Sequence, residues 1–428
     1  MIRLRLQNFG PIRGGFSATG GFMEITPVTV FCGNQATGKS TVAKLYATLS
    51  WLEKALVRMD FDVSSVVQEH FFRDYLKNQR IDEYLMRDTE IAYEGNAYRF
   101  TYKKQRFSAT GNSEAVQYYK RPKIMYVPSE RNLLTTLEDV EKIRNLPVML
   151  SVLFDEYQKA RKSLAQTEYH LPVSDIKIRY DAQKNVTSVI SQDDRSISIT
   201  SASSGIQSVT PLSIVSRYLS GEVASSLFEN VQKLSSYERE QVRKCIQKSC
   251  GKDIDVAGTL IQQFDAMFLT GKDGKIGTEE NTVLKSALLH FFNTCFINIV
   301  EEPEQNLYPD SQKGILYELL AYKNANAGNR LVITTHSPYI ISYLTLAAKA
   351  AELLAKHVPA EKIAAIVPEK SAVSGDEITI YETGDDGTIR RLEPYENLPS
   401  DGNVLNVAMD AQNEQFARLL ELEEALCG

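Results

Sequence analysis

The chain opens on a strict alternation. Ile2, Leu4 and Leu6 are apolar while Arg3, Arg5 and Gln7 are polar, the period of two that a half-buried strand requires. After a Gly-rich turn, Val28-Thr29-Val30-Phe31 forms a β-branched run that predicts a buried strand. From Ser40 to Arg58 the period lengthens: Val42, Leu45, Leu49, Leu52 and Leu56 fall on one face of a helix. Residues 60–88 read as further amphipathic helix, and 90–108 as a hairpin turning near Glu94-Gly95-Asn96. Lys123 to Pro128 is a short buried strand, followed by a helical stretch to residue 170, and strand patterning over 172–200 places Ile176, Ile178 and Tyr180 on one side. Residues 205–270 are expected to be mostly helical, with a turn from Gly271 to Gly277 and a helix leading into the apolar run from Cys295 to Val300. Leu331 to Thr334 is another strand with a helix behind it. The C-terminal segment holds a hairpin, with Glu377–Tyr381 turning at Asp385-Asp386-Gly387, and an acidic amphipathic helix from Val404 to Leu426. That helix is expected to fold back on its own domain, the alternative being a docking helix for a partner. No internal repeat and no heptad run long enough for a coiled-coil arm is present.

Length and composition narrow the class. A chain of 428 residues holds one large α/β domain with an insertion, or two ordinary domains. No apolar run reaches the length of a membrane span, and the N-terminus lacks the basic-then-apolar layout of a secretory signal. Five cysteines are an odd count, and Cys245 and Cys250 have no companion Cys/His pair at zinc spacing. Free thiols and no leader point to a reducing cytoplasm. The net charge of −6 means that any nucleic-acid contact must come from a local basic patch.

The candidate chemistry begins at Gly33-Asn34-Gln35-Ala36-Thr37-Gly38-Lys39-Ser40, which matches G-x-x-x-x-G-K-[ST]. The two glycines let successive backbone N–H groups curl toward phosphate oxygens, and the next helix presents its positive N-terminus. Lys39 is placed to reach β- and γ-phosphates and Ser40 to hold Mg²⁺, with Thr41 a further nucleotide-binding candidate. A buried strand before the loop and an amphipathic helix after it supply the context that the pattern needs.

Phe296 to Val300 runs into Glu301-Glu302-Pro303-Glu304 and then Asn306-Leu307-Tyr308-Pro309. A strand ending in adjacent carboxylates suits such a loop, with Glu301 holding the metal's water shell and Glu302 polarising the attacking water. A second apolar strand ends in Thr334-Thr335-His336-Ser337-Pro338, where His336 could reach a γ-phosphate. Ser203-Ser204-Gly205 opens a helix and offers another anion site.

In this order the four motifs resemble the ABC-type ATPase heads of SMC, RecF and the OLD-like AAA family. The strings EEPEQNLYP and TTHSPY are the most specific, and LRLQNFGPI is similar to the family's first strand. The resemblance implies an α/β fold: a P-loop ATPase head with a mixed sheet, an N-terminal antiparallel β-lobe and a helical insertion. It divides the chain into 1–216 and 286–345 for the head, 217–285 for the insertion and 346–428 for a C-terminal hairpin and helix. It implies ATP and Mg²⁺ as cofactors and a homodimer or larger homo-oligomer whose ATP sites are shared, Ser204 and Gly205 acting in trans. Two departures stand out: Glu301 occupies the usual Asp position, and the early-strand glutamine has only Glu130 and Arg131 as candidates.

OLD-like relatives often carry a Toprim nuclease. After Ser342 too little chain remains for one, and Asp385-Asp386 lies in a turn with no D-x-D. The chain is therefore similar to the ATPase subunits of two-gene anti-phage systems of the Septu and PARIS kinds, which implies a separate effector protein. A RecF-like DNA-repair clamp and a nucleotide-gated scaffold are the competing expectations. Arg99, Lys103, Lys104, Arg106, Lys120, Arg121 and Lys123 interleave with Tyr98, Tyr102, Tyr118 and Tyr119. They form a candidate DNA contact, or else a solvated hairpin face.

Overall fold

Strands buried on both faces read as continuous apolar runs, and five such runs meet in one sheet. They are β4 (Val28–Gly33), β8 (Pro122–Val127), β13 (Cys295–Glu301), β14 (Arg330–Thr335) and β15 (Ile378–Thr383). Neighbours in the order β15-β4-β14-β13-β8 are all parallel. An antiparallel β16 (Thr388–Leu392) and the short β2 (Gly15–Phe16) extend the β15 edge, making a mixed seven-stranded sheet. In this computed structural model the described residues are 1–117, 119–137, 145–164, 167–224, 236–250, 258–262, 264–265, 292–399 and 402–427.

Side-chain alternation splits the sheet's residues between two cores. Val28, Val30 and Cys32 face one way with Phe296, Val300, Leu331 and Ile333. Phe31, Ile297, Ile299 and Val332 face the other. Helix α1 (Lys39–Val57) lies in the second core with the antiparallel lobe. That lobe comprises β1 (Ile2–Phe9), β3 (Met23–Ile25), β5 (Leu85–Glu94), β6 (Tyr98–Lys103) and β7 (Arg106–Gly111) in the order β3-β1-β5-β6-β7. On β1 the alternation holds, Leu4 and Leu6 being fully buried. A one-residue slip in register would turn those residues to solvent, so the pattern fixes the pairing.

Between residues 57 and 85 the chain departs from the continuous helix predicted. Asp62 caps a short turn by accepting from Ser65 N at 2.7 Å, α2 spans only Glu69–Asn78, and β5 begins at Leu85. The predicted hairpin over 90–108 is present as β5 and β6, with β7 as a third strand. The helical stretch expected up to residue 170 is α3 (Val148–Ser163), and the chain is already a strand at β9 (Glu168–His170). β9 joins β10 (Lys177–Asp181), β11 (Val186–Ile190) and β12 (Ser196–Ser198) in a four-stranded antiparallel sheet.

α4 (Ser204–Ala224), α5 (Pro309–Asn324) and α6 (Pro338–Ala355) contribute to the first core. Pro211 sits inside α4, where its missing N–H would leave the Gln207 carbonyl without a donor. Thr135 Oγ1 donates to that carbonyl at 2.7 Å. The expected turn at 271–277, most of the helix ahead of Cys295, and Tyr118 lie outside the described residues. Of the 217–285 segment, the described parts at 217–224, 236–249, 258–262 and 264–265 are helical.

The C-terminal hairpin is built into the main sheet, since β15 pairs with β4 from Val28 to Gly33. The terminal helix α7 (Val404–Cys427) does not fold back as expected. Asn403 caps its start and Val404 N donates to Glu382 Oε2 at 2.7 Å, whereas Phe416, Leu419 and Leu422 are each more than half exposed. Among the described residues no helix is long and apolar enough to cross a membrane.

Candidate nucleotide site

The end of β4 and the start of α1 shape the phosphate loop. Gly33 (φ +140°), Ala36 (φ +61°) and Gly38 (φ +100°) carry the left-handed backbone that curls the chain. A Cβ on Gly33 would lie 2.4 Å from Thr383 O, and one on Gly38 2.5 Å from Ile12 Cδ1, so neighbours pack against both glycines. Thr37 Oγ1 meets Thr383 Oγ1 at 2.6 Å, and Asn34 Nδ2 donates to Asp385 at 3.1 Å. The turn Asp385-Asp386-Gly387 is thus hairpin chemistry, as expected, and it also braces the loop. Gln35 is exposed; Ser40 is partly exposed and Thr41 is buried.

Lys39 is 4 % exposed and folds back to donate to Gly33 O at 2.9 Å and Asn34 O at 2.5 Å. Burial pulls its ammonium down to about 8, with Glu302 the first of the groups resisting. A phosphate entering the loop would offer better acceptors than two carbonyls and hold the ammonium charged to higher pH.

β14 lies between β4 and β13, so the His-bearing strand sits directly beside the acidic one. Glu302 and His336 meet there, Nε2 lying 3.5 Å from Oε1. The His336 contact is the main cause that holds the Glu302 carboxyl below the usual range, against burial and with help from Arg131 and Lys39. Glu302 also carries a φ of +44°, a conformation costing a non-glycine residue about 1–3 kcal/mol. Its backbone is clamped: Glu302 N donates to Thr334 O at 2.8 Å, and Arg131 Nη2 donates to Glu302 O at 2.6 Å. The strain aims the side chain while leaving it partly open.

Glu301 is used differently from its neighbour. It is buried, with Tyr126 OH donating to one oxygen and Ser129 N to the other at 3.0 Å. Any role at Mg²⁺ must therefore run through the lone pairs left over, or through a water. Among the described residues no group of three His, Cys, Asp or Glu side chains is placed to hold a metal ion.

Three residues gain roles that the sequence did not reveal. Arg131, fully buried, donates to Pro128 O, Glu301 O, Glu302 O and Ser208 O at 2.6–3.2 Å. Glu304 accepts from Thr335 Oγ1 at 2.8 Å and His336 N at 2.7 Å, and burial raises its carboxyl. Tyr126 holds Glu301. Glu304 stood inside EEPEQ and Arg131 inside PSER, but spacing alone showed no partner for either. Glu130 is exposed, and neither its carboxylate nor the buried Arg131 guanidinium is a glutamine-like carboxamide.

At the start of α4, Ser203 and Ser204 are exposed while Gly205 is buried. A Cβ on Gly205 would lie 2.6 Å from Asn306 O, so the signature packs against the loop after the acidic strand of its own chain. Among the described residues of 99–123 the tyrosines do not form an open stacking surface. Tyr102 and Tyr119 are buried, Tyr98 packs on core clusters, and Arg99 and Lys103 pair with Glu94 and Glu90, each at 2.7 Å.

The family model described as "AAA domain, putative AbiEii toxin, Type IV TA system" matches residues 297–342, which span the acidic strand, His336 and the first turn of α6. No curated protein matches the chain. Among solved structures the chain is similar to an SMC head bound to the C-terminal winged-helix domain of ScpA, at 10% identity and a TM-score of 0.33, covering 91% of this chain and 95% of that one. It is also similar to the SMC head domain from Thermotoga maritima (8% identity, TM-score 0.31, covering 80% of this chain and 90% of that one). A third is the Pyrococcus furiosus SMC head with an extended coiled coil (10%, TM-score 0.31, covering 97% and 99%).

Proposed function

We propose that the chain is an ATPase that hydrolyses ATP with Mg²⁺ at a site shared between two copies of itself. The observation that carries this is the clamped Glu302–His336 pair, at the ends of β13 and β14, the latter adjoining the strand that feeds Lys39 into the phosphate loop. Loop N–H groups and Lys39 would bind the β- and γ-phosphates, and Ser40 would meet the metal. Bound Mg²⁺ supplies charge neutralisation on the phosphate oxygens. Glu302, ionised and aimed by its backbone, would orient the attacking water, with His336 holding that carboxylate in place. Glu304 would set the position of the His336 backbone from below.

The shared site is supported by Ser203 and Ser204, which are exposed at the head of α4 while Gly205 is locked onto Asn306. In the cell we read the protein as a cytoplasmic, oligomeric regulator of a separate effector in anti-phage defence. That role rests on the motif resemblance, on the name of the matching family model and on the exposed apolar residues of α7. Mixing Lys39→Ala with Ser204→Arg protein tests the sharing. A mixed dimer keeps one intact site, so part of the ATPase should return, and wild-type rate per subunit should rise with concentration. A concentration-independent rate well below the dimer dissociation constant would refute it.

A further inference from the structure

Beyond the phosphate loop, α1 borders a cavity of about 350 Å³ whose walls include Trp51, Tyr75, Lys54, Lys123, Gln79 and Glu156. It is not the phosphate site: Trp51 lies twelve residues beyond Lys39 on α1, about 18 Å along the helix axis. Its chemistry is unbalanced in a specific way. Trp51 and Tyr75 stack with centroids 4.8 Å apart, and Trp51 is still 37 % exposed. The Lys54 ammonium has no hydrogen bond or ion pair among the described residues. Burial draws its pKa well down, and Arg121, Lys123 and Arg58 add to the effect. Two buried acceptors lack a donor, Gln79 Oε1 and Glu156 Oε2. The other Glu156 oxygen is taken by Lys123 at 3.1 Å and Lys159 at 3.0 Å. A buried polar atom without a partner costs about 1–3 kcal/mol, so a ligand that gave a donor to Gln79 Oε1 or Glu156 Oε2 would recover much of that.

A planar ring for Trp51, N–H donors for the two acceptors and an anion for Lys54 describe one kind of molecule. We infer that this cavity binds a nucleoside monophosphate whose base carries an exocyclic amine, at a site separate from the phosphate loop. The volume suits a mononucleotide, at the lower end of the usual range of roughly 300–1,000 Å³ for ligand pockets. The base stacks on the indole and gives its amine to Gln79 or Glu156, while the phosphate meets Lys54 beside Lys123. Tyr126 also lines the cavity and donates to Glu301, so an occupant would touch the residue that holds the acidic strand end.

Trp51 is the chain's one tryptophan, so its fluorescence reports on this cavity alone. AMP, CMP, GMP and UMP are titrated into the Lys39→Ala protein, which silences the phosphate loop and keeps the result independent of the ATPase assignment. At least one of AMP, CMP and GMP should quench saturably, and UMP should bind at least about tenfold more weakly for want of the amine. Lys54→Met and Gln79→Leu, each checked for native circular dichroism, should both weaken the preferred nucleotide about tenfold or more. No saturable quenching at millimolar nucleotide, equal affinity for UMP, or an affinity unchanged by Lys54→Met would overturn the inference.

Discussion

Replacing Arg131 with methionine keeps most of the side-chain volume and removes every donor. Four carbonyl oxygens, those of Pro128, Ser208, Glu301 and Glu302, then lose their charged partner. At about 1.5 kcal/mol for each bond to a charged group the loss would be roughly 6 kcal/mol. Some returns, because burial lowers the Arg131 guanidinium to about 10 from 12.5, a cost of roughly 3 kcal/mol at 1.36 kcal/mol per unit. The net destabilisation should be about 3 kcal/mol, readable by urea unfolding. The larger consequence falls on catalysis. Without Arg131 Nη2 on its carbonyl, Glu302 can relax from its φ of +44°, and a displacement of about 1 Å in a catalytic group costs on the order of 10²-fold in rate. Steady-state ATP hydrolysis should therefore lose kcat by tenfold to hundredfold, with ATP affinity nearly unchanged. A kcat within twofold of wild type, in protein that has lost the expected stability, would show that the clamp does not position Glu302.

Two more predictions concern protons. In the free protein Lys39 is charged below about 8 and neutral above it, and bound phosphates would raise its value. ATP affinity should then hold steady below pH 8 and fall above it, by up to tenfold per unit, which calorimetry at several pH values would measure; a flat profile to pH 9.5 would contradict the burial of its ammonium. Glu302 is depressed mainly by His336, so it stays ionised as pH falls through the ordinary carboxylate range. In His336→Ala that support is gone, and the acid limb of the pH–rate profile should move to higher pH; a limb that stays put would dissociate the pair.

The sequence showed what depends on local order. Alternation on β1, the apolar runs of β4, β13 and β14, and the glycines of the phosphate loop follow from nearest neighbours in the chain, and each stands where expected. Long-range pairing was not visible. Nothing in Ile378–Thr383 says that it pairs with Val28–Gly33, because a buried parallel strand has the same composition beside any partner. The motif assigns the neighbouring glutamates different roles but not their partners: Tyr126 and Ser129 occupy Glu301, and Glu302 faces His336. Arg131 stood only as a candidate for the early-strand glutamine and is a buried clamp. The interleaved tyrosines of 98–119 read as a DNA contact or a solvated hairpin face, but the alternation of β6 turns Tyr102 into the core. In α7 the amphipathic pattern was legible, whereas what its apolar face meets was not.

The most direct test of the central claim is phosphate release from ATP by wild-type protein and by Glu302→Gln, measured beside ATP retention by each. The amide keeps the size of the side chain and leaves the Lys39 loop untouched, but it cannot take a proton from water. Wild type should turn over ATP in the presence of Mg²⁺, and the variant should bind ATP as tightly while hydrolysing it at least about 10²-fold more slowly. Undiminished hydrolysis by Glu302→Gln, or no turnover by wild type under conditions where it retains ATP, would contradict the account.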